Sequence, residues 1–311
     1  GATVPLPSYE VTSRLSFFLW SRMPDEELFA AAARDELTTR DAIETQARRM
    51  LEHPNARASV VDFHRQWLDF DRILHDEHVT PVPELYPAWT PQLRAASRTE
   101  LDRFVERAIF DGEGTLSAIF LSRETEVDTT LAGVYGVTAP SSGWAPVTLP
   151  EGERAGLLTR VGFLASHAHS ANGSPPPPGG FVVGWPPFEP PPSPPPGPHG
   201  TPPPPAPRAP AATNRQLFEE RTAPDRCQAC HVRIDGFGYG LEHYDAIGAY
   251  RELDNGLPVD ASSTLVGTDV DGDYVGGVEL SERLASSRRV ADCAVQRWYR
   301  FASGRGVESE D

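Results

Sequence analysis

Apolar residues recur at helical spacing through most of the first 170 positions. Over Tyr9–Arg22, Val11, Leu15, Phe18 and Leu19 share one face, and Ser8 stands at the expected N-cap. Pro24 opens a second helix, with Asp25, Glu26 and Glu27 near its positive end and Leu28, Phe29, Ala32 and Ala33 on its apolar side. Two further helices are predicted over 40–53 and 55–70; in the latter Val60, Phe63, Trp67 and Phe70 line up. A long amphipathic helix runs from Pro91 to about Asp111 through Leu93, Leu101, Phe104, Val105 and Ile109. Glu151–Ser166 reads as an apolar helix that ends in His167-Ala-His169. Aromatic stripes at this spacing are read as core.

The pattern then stops. Of 32 prolines, 19 fall between Pro175 and Pro210, and only Glu189 and Arg208 carry charge there. Such a segment lacks backbone donors and favours an extended polyproline II course. A free linker would be polar throughout. Phe181, Val182, Val183, Trp185 and Phe188 instead favour a strap that packs on a surface. Beyond it, Thr213-Asn214 can cap a short helix. Glycines 236, 238, 240 and 248 predict a loop in which backbone passes close to a flat ligand. Residues 257–280 suggest a small hairpin. Within it Asp269-Val-Asp-Gly-Asp273 resembles the start of a calcium loop, but its twelfth position is Leu280, and an acidic hairpin turn is the preferred reading. Two closing helices are expected over 278–303. The fold class is therefore mainly α, with a helical domain over 1–170, a proline-rich strap or linker over 171–210, and a third region over 211–311 that carries a small β hairpin.

One run changes the picture. Cys227, Cys230 and His231 form C-x-x-C-H, the attachment signature of a c-type haem. Two thiols at this spacing can each form a thioether to a haem vinyl group, and the adjacent imidazole can ligate iron from the same side. Zinc would want further ligands, and Cys293 stands alone as the third cysteine. A thioredoxin-like dithiol would want a βαβ setting, yet prolines precede the run and Ile-Asp-Gly-Phe-Gly follows it. A simple disulfide is the third alternative. One covalently attached haem c, with His231 as proximal iron ligand, is the reading preferred.

Composition narrows the partners. Acidic residues outnumber basic ones 44 to 28, a net charge of −16, which argues against nucleic acid and anionic membrane surfaces. Every basic residue is Arg, so lysine-based docking to a redox partner is excluded, although Arg could replace it. No run of 18 apolar residues offers a transmembrane segment. No leader is visible at Gly1, and haem c is attached outside the cytoplasm. The expectation is an exported chain, periplasmic or extracellular, with its leader removed.

The chain resembles the cytochrome-c-like proteins of planctomycetes and myxobacteria, large exported multi-domain proteins of unknown function. The resemblance is carried by Arg14-Leu-Ser-Phe-Phe-Leu-Trp-Ser-Arg-Met-Pro-Asp-Glu-Glu-Leu28, Gln46-Ala-Arg-Arg-Met-Leu51, Phe63-His-Arg-Gln-Trp-Leu68, Leu131-Ala-Gly-Val-Tyr-Gly136 and Gly156-Leu-Leu-Thr159. Its strongest block is Cys227-Gln-Ala-Cys-His-Val-Arg-Ile-Asp-Gly-Phe-Gly-Tyr-Gly-Leu-Glu-His-Tyr-Asp-Ala-Ile-Gly248, and the closing stretch from Cys293 to Arg305 also fits. The resemblance implies a cytochrome-c-like C-terminal region. One stretch departs from it: Ser174-Pro175 leads into prolines where the family carries a charged, tryptophan-bearing helix.

The sixth iron ligand separates the function classes. An electron-transfer cytochrome usually supplies a downstream Met. Here the only methionines, Met23 and Met50, precede the motif. Met23 at its helix corner, His167 and His169 are the distal candidates, beside an open sixth site. His64 and His243 are read as structural. Trp20, Phe237, Tyr239 and Trp298 are read as core before haem wall. Three functions follow: an exported mono-haem cytochrome carrying out electron transfer to a redox partner; a structural or assembly subunit of a larger complex with a relay haem; or a haem peroxidase or oxygenase with an open distal site, using His167 or His169 as acid/base.

Overall fold

A computed structural model describes residues 5–75, 81–168 and 212–304. The proline-rich segment over 171–210, expected to be a strap or linker, lies outside the described residues, as does His169. The fold is mainly α with small two-stranded antiparallel sheets, as the apolar pattern predicts. The chain divides into two compact units, Gly1–Asp69 with Ala294–Asp311, and Phe70–Cys293.

The smaller unit holds α1 (Ser8–Trp20), α2 (Glu26–Ala33), α3 (Arg40–Leu51) and α4 (Pro54–Leu68). Side-chain oxygens start two of these helices: Asp25 accepts from the Leu28 N–H and Thr39 from the Ala42 N–H. Ser8 is no cap. It is the first helical residue, and its hydroxyl donates to Asp35 at 2.7 Å. The buried side of α1 mixes Leu19 and Trp20 with Ser8, Thr12 and Ser16. Small hydroxyls let neighbouring helices approach there, and Trp20 Nε1 donates to the Met50 carbonyl at 2.8 Å. Phe63 anchors an aromatic cluster, with Trp298 at 4.3 Å and Trp67 and Phe301 at 5.5 Å between ring centres.

The larger unit is built on α5 (Pro91–Glu106), capped by Thr90, with Pro91 in its first turn. Around it lie α6 (Leu116–Leu121), β1 (Glu124–Val127), α7 (Thr129–Tyr135), β2 (Ala145–Thr148) and α8 (Val161–Ser166). Strands β1 and β2 pair antiparallel from Glu124–Thr148 to Val127–Ala145. Leu93, Val127, Leu131, Tyr135, Leu149 and Val161 form one apolar cluster. The helix expected over Glu151–Ser166 is broken. Gly156 sits at φ 53 with the Phe120 backbone against it, Arg160 is extended, and regular α-helix begins only at Val161.

Past the proline-rich segment come α9 (Asn214–Thr222), α10 (Asp225–Gly238), β3 (Leu253–Asp254), β4 (Leu257–Pro258), β5 (Ser262–Leu265), β6 (Gly272–Val275), α11 (Gly276–Ser286) and α12 (Arg288–Ser303). The expected short helix after Thr213 forms, with a complete capping box through Gln216. The expected hairpin is β5–β6. In its turn Asp271 accepts from the Gly267 and Thr268 N–H groups and Asp269 from Ser287 and Arg289, in keeping with an acidic turn. A tighter hairpin, β3–β4, turns at Asn255-Gly256, both at positive φ; that dipeptide was its signal in the sequence. No described helix is long and apolar enough to cross a membrane.

Candidate functional site

The C-x-x-C-H run lies in α10, whose backbone starts at Pro224 and carries Asp225 in its first turn. A helix places positions four apart on one side. Cys227 and His231 therefore neighbour each other, with Asp235 and Tyr239 continuing the row. Cys227 is half-buried. Cys230 occupies the next turn of the helix backbone.

His231, Val232, Asp235 and Tyr239 form one wall of a groove of about 680 Å³; Val266, Tyr274 and Val275 of the hairpin face it, and Arg215 and Glu219 of α9 close one side. Val232, Val266 and Val275 remain substantially exposed, an apolar lining open to solvent.

The polar row on this wall is well defined. His231 Nδ1 lies 3.0 Å from Asp235 Oδ1, and the Tyr239 hydroxyl donates to Asp235 Oδ2 at 3.3 Å. Asp235 is buried, whereas the His231 side chain keeps 29% exposure. A carboxylate only accepts, so Nδ1 carries the proton of this bond, and in the neutral form of the ring it is Nε2 that keeps the lone pair. The Phe218 ring stands 5.5 Å from the imidazole. The Arg215 guanidinium lies 4.5 Å over the Tyr239 ring and is pinned by the Asp260 and Ser262 carbonyls. Burial and the adjacent Asp235 carboxylate push the Tyr239 phenol well above its ordinary pKa. Behind the groove, Asp254 accepts from the first N–H of α9 and from Arg251, which also meets the buried Glu242 carboxylate at 3.4 Å. Burial pushes Glu242 up to about 8.

Three of the four glycines expected to let backbone pass close to a flat ligand have protein against their Cα instead. A Cβ on Gly236 would stand 2.5 Å from the Thr264 carbonyl oxygen, and one on Gly240 would stand 2.3 Å from the Tyr274 ring. The Gly236 carbonyl accepts from the Tyr274 and Ser263 hydroxyls at 2.6 and 3.0 Å. Gly248 likewise lets the backbone of Val161 come within 2.9 Å of where its Cβ would be. These glycines clamp the hairpin onto α10 and seat the following loop on α8.

The distal candidates are scattered. His167 is buried, stacked on Phe163, with Nδ1 2.9 Å from the Phe163 carbonyl; burial lowers its pKa to about 4, and it does not line the groove. Met23 belongs to the smaller unit and is 65% exposed between α1 and α2. His169 lies outside the described residues. His64 and His243 place Nδ1 on main-chain carbonyls, 2.8 Å from Val60 and 2.9 Å from Arg251. Of the four aromatics considered as haem walls, Tyr239 faces the groove. Phe237 is interior to the larger unit, and Trp20 and Trp298 pack within the smaller one.

The donor set suits a c-type haem: thiol positions in adjoining turns and an imidazole with Nδ1 occupied, beside a groove whose lining mixes Val232, Val266 and Val275 with polar side chains such as Thr222, Gln228 and Thr264. Its volume falls within the range of about 300–1,000 Å³ usual for cofactor pockets. Asp235 was not singled out from the sequence, although its spacing of four from both His231 and Tyr239 was legible there.

Family models place the chain more closely. Three models of proteins of unknown function match successive stretches: DUF1592 over residues 6–137, DUF1588 over 154–254 and DUF1585 over 272–311. These are cytochrome-c-like domain families of planctomycetes. The second match contains α10 with its C-x-x-C-H run; β5 falls between the second and third. No curated protein and no solved structure matches the chain.

Proposed function

We propose that the chain is an exported mono-haem c-type cytochrome that transfers electrons, with thioethers from Cys227 and Cys230 and iron bound by His231 Nε2. The observation that carries this reading is the imidazole of the C-x-x-C-H run, set on a groove wall with Nδ1 already held by the buried Asp235. When bound, the haem supplies a one-electron couple. The protein's part is to fix the imidazole through the buried Asp235, which Tyr239 braces, and to supply a groove in which Val232, Val266 and Val275 are the apolar side chains. The match to cytochrome-c-like families supports the cofactor class. In this reading the region 211–311 binds the cofactor, residues 1–170 form the helical part, and 171–210 join them, with a redox protein or complex subunits as partner.

The test is expression with a haem-attachment system in an exporting host. The intact mass should increase by one haem, and the visible spectrum should change with a one-electron reduction per chain. Cys227→Ala and Cys230→Ala should each reduce covalent attachment, and His231→Ala should alter iron ligation. A chain that folds but attaches no haem would overturn the reading. A high-spin ferric spectrum that changes on adding peroxide would replace electron transfer with a peroxidase-like activity. Unaltered complex assembly in a haem-free Cys227→Ala variant would separate any assembly role from the haem.

A further inference from the structure

His231 differs from His64, His167 and His243 in what holds its Nδ1. His64, His167 and His243 each place Nδ1 on a main-chain carbonyl, at 2.8, 2.9 and 2.9 Å. His231 places it on a carboxylate oxygen at 3.0 Å, and that carboxylate is buried and braced from its other oxygen by Tyr239. Tyr239 is in turn covered by Arg215, which two carbonyls and Glu219 fix in place. An exposed i,i+4 pair would carry no such scaffold. Four residues are therefore ordered to present one negative oxygen to the back of one imidazole.

The consequence follows from coordination chemistry. A carboxylate that accepts the Nδ1 proton's hydrogen bond pushes electron density toward Nε2, makes it a stronger donor, and fixes tautomer and ring orientation. A stronger σ-donor favours ferric over ferrous iron and lowers the reduction potential. We infer that Asp235 is a positioning residue for His231, which holds its Nδ1–H tautomer and would set a haem bound there at a lower potential than a carbonyl-held histidine would. The inference rests on the proposed haem attachment at Cys227 and Cys230.

The experiment compares the haem-loaded wild type with Asp235→Asn and Asp235→Ala. Intact mass first establishes that each protein carries covalent haem, and a redox titration then reads the midpoint. Asn keeps an acceptor oxygen without the charge; Ala removes both. The midpoint should move positive in both variants, at least as far in Ala as in Asn. Unchanged midpoints in variants that carry haem overturn the inference and leave the attachment reading intact. A wild type without covalent haem sinks the attachment reading itself. Should the variants fail to load, ¹⁵N NMR of histidine-labelled wild type decides. An apo-protein His231 Nδ1–H resonance downfield of those of His64, His167 and His243 supports the carboxylate acceptor, and one among them overturns it.

Discussion

The larger unit contains two polar clusters of opposite design. The interior cluster around Glu100 and Arg160 is closed. Both side chains are fully buried and meet at 3.1 Å. Glu100 also accepts from Thr125 and Tyr135, while Arg160 also donates to the Gly156, Ser122 and Glu124 carbonyls. Its neighbour Arg154 lies between the Tyr135 and Tyr244 rings and donates to the Thr159 and Gly248 carbonyls. The row His231–Asp235–Tyr239 has the same ingredients but stops at a partly exposed imidazole on a groove. Polar groups that only hold a fold together are enclosed by partners. Polar groups that serve a ligand leave one valence facing outward.

The largest expected effect comes from opening the closed cluster. Glu100→Gln strands the buried Arg160 charge and should lower unfolding stability by about 3–5 kcal/mol in urea titrations. Replacing both Glu100 and Arg160 with Met should recover most of that loss. A single-variant cost below about 1 kcal/mol would contradict the closed reading.

Next in size is acid sensitivity. Burial lowers His64 and His167 to about 4 from the ordinary 6.5. Between these values the unfolded chain binds protons that the folded chain refuses. Each neutral histidine therefore contributes fully above pH 6.5, and the contribution, about 3 kcal/mol apiece, is lost as pH falls toward 4. His64→Gln and His167→Gln should each shrink the stability difference between pH 7 and pH 4.5. An undiminished difference would show that these rings are not the groups that titrate.

Gly236→Ala tests the groove wall. Its Cβ would stand 2.5 Å from the Thr264 carbonyl, and relief requires moving the hairpin off α10. A loss of about 2 kcal/mol is expected, with reduced protease resistance confined to residues 262–275. The smallest effect should belong to Asp235→Asn in the haem-free chain. It lies beside a partly exposed partner, so its cost should stay within about 1 kcal/mol. A cost comparable to Glu100→Gln would erase the distinction between the two clusters.

Much of the helical frame was legible because its signals are local. Pro91 after Thr90 and Thr213 with Gln216 are starts whose geometry depends on three or four neighbouring residues, whereas Asp25, read as a first-turn acid behind Pro24, is itself the N-cap of a helix that starts at Glu26. Failures arose where distant backbone intervened. The apolar run through Glu151–Ser166 satisfies helical spacing, yet the Phe120 backbone against Gly156 forces a turn. Glycines 236, 240 and 248 signal close approach correctly, but sequence cannot say what approaches. It proved to be the hairpin and α8.

By itself, then, the sequence determined the helical class, most helix starts and the spacing of the C-x-x-C-H run, because periodicity, capping and thiol spacing are encoded within one or two turns. Only the tertiary structure decided which charges are enclosed and which histidine is backed by a carboxylate on a groove. Those properties depend on burial and on partners brought from as far as Gly248 to Arg154, a juxtaposition that no local pattern specifies.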